Sequence, residues 1–227
     1  MRNKLCKRLM VIWIIIIPML FSCASTQQKQ SESKDAKTYD LLGISHFQKR
    51  DYDQAIYYFT KWIGTDPKEP QAYNWRGIVY NLTGQYDRAI SDFTKAIEMD
   101  PNIGIFYGNR AIAFFLKEQY DLVILDYNKA IEIDPNAIDQ KYGIRAYFNR
   151  GISHTDKGEY DLAISDFSKA ININPKYAEV YYNRGRSYYF KKEYNKSWED
   201  IKKAQALGYK IPPEFLKELR KASGREN

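Results

Sequence analysis

The chain has 227 residues, 35 of them Lys or Arg and 28 Asp or Glu, with 44% hydrophobic and 15% aromatic content. That is too apolar for a disordered chain, too poor in Gly and Pro for a fibrous one, and two cysteines exclude a disulfide-dense mini-domain or a four-cysteine zinc site. The formal charge of +7 is uneven: residues 1–22 hold Arg2, Lys4, Lys7 and Arg8 and no acid, so without them it falls to 7 − 4 = +3, and no nucleic-acid partner is expected.

Met1 to Arg8 is a basic start, followed by an apolar run from Leu9 to Phe21 that Pro18 interrupts. The run is too short to cross a bilayer, which needs roughly 20 residues, and a charged start with a short apolar core describes a secretory signal. Its exit, Leu20-Phe21-Ser22-Cys23-Ala24, resembles the lipobox of bacterial lipoproteins. That resemblance implies a signal peptide over 1–22, cut before Cys23, and acylation of Cys23. The polar stretch that follows makes 23–35 a lipidated cysteine and flexible tether. It also implies export and a lipid anchor in the cell envelope, with Ala24 after the cysteine pointing to the outer membrane. An uncleaved N-terminal anchor is the alternative.

From residue 36 a period of 34 dominates. Pro67, Pro101, Pro135 and Pro175 each follow Asp or Asn; Ala55, Ala89, Val123 and Ala163 stand twelve residues earlier, and Phe59, Phe93, Tyr127 and Phe167 eight earlier. Small residues recur as Gly43, Gly77, Ala111, Gly151 and Gly185, each preceded four residues earlier by Tyr39, Tyr73, Tyr107, Tyr147 or Tyr181. This pattern resembles the tetratricopeptide repeat. The resemblance implies an all-α, right-handed α-solenoid of about five helix–turn–helix repeats over 36–209: 36–69, 70–103, 104–137, 144–177 and 178–209, with an insertion at 138–143. In the second helix of repeat two, Ala89, Ile90, Phe93, Ala96 and Ile97 form one helical stripe, with Asp87 expected as its N-cap. Residues 210–227 are expected to form a capping helix and tail, with Phe215, Leu216, Leu219 and Ala222 turned inward.

Repeats two to five carry Arg76, Arg110, Arg150 and Arg184 before the small residue, and Asp92, Asp126, Asp166 and Asp200 on the second helix. Repeat one has Leu42 and Tyr58 instead. An Arg–Asp latch inside each repeat is expected, against a rival reading of an arginine ladder for an anionic ligand. The insertion leaves open an early start of the next helix or a protruding rim.

No phosphate loop, zinc-protease or nucleophile-elbow motif is present. His46 and His154 fall in different repeats, at positions where the family usually packs a tyrosine. No enzyme, metal or other cofactor is expected. By resemblance, the first helices line a binding groove, with Asp40, Ile44, Phe47, Asn74, Ile78, Asn81, Ile112, Phe115, Leu116, Phe148, Ile152, Thr155, Tyr182, Arg186 and Tyr189 facing it. The lining is mostly apolar and aromatic, suited to an amphipathic helix or extended peptide. The expected function is a membrane-anchored protein-interaction scaffold binding an envelope protein or peptide. The alternatives are an assembly factor similar to pilotin lipoproteins, and a peptidoglycan- or glycan-binding envelope protein.

Overall fold

The computed structural model describes residues 35–134 and 143–225, and every regular element in them is an α-helix. The signal peptide, Cys23 and nearly all of the insertion lie outside the described residues. The helices are α1 (35–48), α2 (Tyr52–Thr65), α3 (Pro70–Leu82), α4 (Tyr86–Met99), α5 (Gly104–Leu116) and α6 (Tyr120–Ile133). After the insertion come α7 (Gly143–Asp156), α8 (Tyr160–Ile173), α9 (Ala178–Phe190), α10 (Tyr194–Ala206) and α11 (Pro213–Ser223). This is the α-solenoid class, with odd-numbered helices as the first of each repeat. The chain divides into two compact bodies, one ending at Val79 and one beginning at Tyr80.

Two local devices repeat. Each first helix ends on a residue with positive φ: Arg50, Gly84, Glu118, Gly158 and Lys192, with φ between 57° and 77°. The next amide then reaches back to the helix, as Gln85 does to the Tyr80 carbonyl and Glu159 to that of His154, a Schellman closure. The second helices of repeats one to four each end at an Asp or Asn before proline, where the ring of the following residue forces extended backbone: Asp100 sits at φ −141°, ψ 94°. Its side chain accepts from the amide of Asn102 at 3.1 Å, as Asp66 does from Lys68 and Asn174 from Lys176. The residue type before each proline thus follows from the turn it must close.

In the first body Phe59 and Trp62 pack with Ala55, Ala72 and Val79, and Phe59 stacks on Trp75 at 5.9 Å. Gly43 lies under Phe59, and a Cβ there would come within 2.4 Å of the ring. In the second body the core runs through Ala111, Val123, Tyr127, Ala146, Ala163 and Phe167, and a further cluster joins Tyr181 and Ile201 to Phe215 and Leu219 of α11. Gly151 lies under Phe167 as Gly43 does under Phe59, and a Cβ on it would come within 2.7 Å of that ring. The small-residue slot therefore exists to seat the aromatic of the paired helix.

Two expectations change. Asp87 does not cap α4: Gln85 holds the N-cap position without a side-chain cap bond, and Asp87 lies in the first turn, where it pairs with Lys117. Ala222 is exposed, because α11 turns only Phe215 and Leu219 fully inward. Whether the helix of repeat four starts early or a rim protrudes falls on 135–142, outside the described residues. From its described start, α7 runs eight residues before Gly151, against seven for α5 before Ala111 and α9 before Gly185.

Candidate functional site

The arginines account for themselves first. Arg110 donates from Nε and Nη2 to Asp126 at 2.8 Å each, and Arg150 to Asp166 at 2.7 and 2.6 Å. Arg184 does the same to Asp200 at 2.7 and 2.8 Å. These bidentate bonds join the two helices of one repeat, and the bond to Asp126 raises the Arg110 pKa further. The remaining Nη1 reaches backward: Arg110 to Thr94, Arg150 to Asn128, Arg184 to Ser168, and in the first body Arg76 to Thr60. Each arginine also lies over the tyrosine three residues before it, Tyr73, Tyr107, Tyr147 or Tyr181, at 5.6–5.9 Å. Spacing in the sequence points to the acid but not to the backward partner. The signal for that partner is a polar residue directly after the aromatic: Thr60, Thr94, Asn128 and Ser168. With their donors committed, these arginines are stitching between repeats rather than an anion-binding ladder.

A second stitch lies at the rim. Lys117 pairs with Asp87, Lys157 with Asp121 and Lys191 with Asp161, each lysine just beyond a first helix and each acid in the first turn of the preceding second helix. Arg225 bonds Asn195 at 2.9 Å in the same register, so α11 docks as the first helix of a sixth repeat would. The two histidines are tied locally: His46 Nδ1 to Asp51 at 2.9 Å and His154 Nδ1 to Glu159 at 2.6 Å. The latter bond lowers the Glu159 pKa. Among the described residues, no group of His, Cys, Asp and Glu is placed to hold a metal ion, and no helix is long and apolar enough to cross a membrane.

The groove residues fall into three environments. In the first body Asn74 is buried and donates to Gln71, Ile78 is half-buried, and Phe47 meets Trp75 edge-on at 5.5 Å. In the second body Ile112, Phe115 and Ile152 are half-buried and Leu116 is 46% exposed. Asn81 donates to the Asn109 carbonyl while its own Oδ1 is buried without a partner. Phe148 and Thr155 are buried, Phe148 between Phe167 and Tyr177, and Thr155 against Ser187 at 3.0 Å. Tyr182 stacks on Tyr209 at 4.9 Å and both Tyr182 and Tyr189 meet Phe215 edge-on. Arg186 lies over Tyr182. The chain's own later residues therefore cover the aromatic positions of repeats four and five.

Repeat three is different. A cavity of about 400 Å³ opens between α5, the end of α6 and the start of α7. Its walls include Ile105, Gly108, Asn109 and Ile112 of α5, which fall at i, i+3, i+4 and i+7, with Tyr127, Ala130, Ile133, Arg145 and Ala146 opposite. Tyr127 accepts a hydrogen bond from Asn149 at 3.1 Å, and burial pushes its hydroxyl up to about 12. Gly108 occupies the slot held by Asn74, Phe148 and Tyr182 in other repeats, three residues before the small residue. Sequence reasoning misses Gly108 because it contributes no side chain.

Helical hairpins stacked at a near-constant period, tied by one arginine in each of repeats two to five, define an α-helical repeat protein. The chain carries tetratricopeptide repeats: models of that repeat match 70–103 and 105–137, 151–191, and 178–207. Among solved structures, a MamA protein is 23% identical with a TM-score of 0.69, covering 80% of this chain and 100% of its own. MamA from Desulfovibrio magneticus RS-1 is 20% identical at 0.69, covering 76% and 94%. YrrB, described as a TPR protein with an unusual peptide-binding site, is 24% identical at 0.68, covering 81% and 91%. No curated protein matches the chain significantly.

Proposed function

We propose that this chain is a membrane-anchored protein-interaction scaffold of a bacterial envelope, binding a protein or peptide along the first helices of its repeats. The observation that carries the reading is the half-buried apolar lining of repeats three and four, Ile112, Phe115 and Ile152, with Leu116 46% exposed beside it. Leaving them in water has no structural benefit, and such strips suit a partner with apolar anchors. The recurrence of this fold in YrrB, described as having a peptide-binding site, supports the class of partner. The anchor rests on the lipobox-like run ending at Cys23 and on the polar tether after it. One acyl chain gives marginal binding and two give stable anchoring, which N- and S-acylation of one cysteine would supply.

The test has two arms on the full chain expressed in a bacterium. Cys23→Ala should abolish incorporation of labelled fatty acid; a substituted protein still cleaved and acylated contradicts the anchor. Phe115→Ala should weaken capture of the envelope partner by roughly 1–3 kcal/mol, as interface aromatics do, with thermal stability lowered less than by Phe93→Ala. Phe93 is fully buried, and its truncation should cost about 3–5 kcal/mol. Unchanged capture by the Phe115 variant, or melting as early as the Phe93 variant, marks Phe115 as packing and the groove reading as wrong.

A further inference from the structure

We propose that the cavity at Gly108 receives a bulky apolar side chain of the partner peptide, with an acidic residue of the same peptide set against Arg145. The inference rests on the groove reading and names the chemistry of its occupant. Three observations converge. A Cβ at Gly108 would meet nothing within 4 Å, so no neighbour among the described residues fills the space. In repeats four and five the slot takes aromatic rings: Phe148 packs there on Tyr177 and Tyr182 on Tyr209. Repeat three presents the same position without a ring, and Ile105, Ile112 and Ile133 around Tyr127 form the apolar part of its walls. A volume of about 400 Å³ lies within the range of specific ligand pockets, about 300–1,000 Å³.

Charge selects what accompanies the ring. Arg110, Arg150 and Arg184 each hold a carboxylate, whereas no carboxylate among the described residues pairs with Arg145, which is exposed at the rim. Asp134, which also lines the cavity, already has a partner. An exposed guanidinium beside an apolar notch favours an acidic residue next to the inserted side chain.

The experiment titrates the full chain with fluorescein-labelled nine-residue peptides of Gly and Ser. Each carries Trp, Leu or Ala at the centre, followed by Glu or Lys, and binding is read by fluorescence anisotropy. Trp-Glu and Leu-Glu peptides should bind about tenfold or more tighter than Ala-Glu, the value of burying one large side chain. Gly108→Phe should melt no lower than the parent and lose that preference. Gly108→Ala, which improves helix propensity, should melt higher yet bind the Trp-Glu peptide less tightly. Arg145→Gln should erase the Glu-over-Lys preference and leave the Trp-over-Ala preference. If Gly108→Phe binds the panel unchanged while Phe115→Ala does not, the notch proposal fails and the groove reading stands. If no peptide binds saturably to the parent chain, the notch proposal also fails, and cross-linking of the native partner decides the groove reading separately.

Discussion

At the scale of single residues, one arginine in each of repeats three to five does three jobs at once. Arg184 lies over Tyr181, holds Asp200 in its own repeat and reaches Ser168 in the one before. Its side chain is 20% exposed and that of Asp200 7%, so the pair is largely withdrawn from water. Removing one member of such a pair strands the other, whereas replacing both with apolar groups is often neutral. Asp200→Ala should therefore cost about 3 kcal/mol, the low end for a buried pair because Arg184 keeps Ser168 and some water. Arg184→Leu with Asp200→Tyr reproduces what repeat one carries as Leu42 and Tyr58, and should cost less than Asp200→Ala alone. Urea unfolding of the variants checks this, and a double variant as unstable as the sum of its singles would refute it. The acid partner was legible from spacing, since each Arg travels with an Asp sixteen residues on. The partner in the preceding repeat was not, because helices from different repeats meet only once the stack exists.

At the scale of the element, the turn between the two helices of a repeat fixes where the second begins. Its left-handed residue is Gly in repeats two and four, at Gly84 and Gly158, but Arg50, Glu118 and Lys192 in the others. A Cβ at Gly158 would meet only the Tyr160 hydroxyl, at an ordinary 3.9 Å, so a side chain there is opposed by backbone conformation rather than by space. Gly158→Ala should lower stability by about 1–2 kcal/mol, the usual cost of the left-handed region for an L-residue, and Lys192→Gly should not. Thermal melts of both compare them directly, and a Gly158→Ala chain as stable as the parent would contradict the turn's role. The helices, their order and the capping helix were readable from the period of 34 and the Asp-Pro breaks. The burial of Phe148 was not, since it depends on Tyr177 arriving from the next repeat. Nor was the opening at Gly108, which is defined by a side chain that is missing.

At the scale of the whole molecule, the proposed work of the protein lies on the first helices of repeats three and four, and the proposed lipid anchor at Cys23 would carry them on the tether. The second helices offer a contrasting surface, where Leu125 and Leu162 are 62% and 54% exposed. Scattered exposed leucines are ordinary on soluble domains, so exposure alone does not say which side meets a partner. Site-specific cross-linking in living cells decides it. A photoreactive phenylalanine analogue is placed at Phe115 or Ile152 on one side, and at Leu125 or Leu162 on the other, in the full chain. After irradiation, the account predicts a discrete adduct with an envelope protein from Phe115 and Ile152 and none from the two leucines. Adducts from Leu125 and Leu162 alone would contradict it.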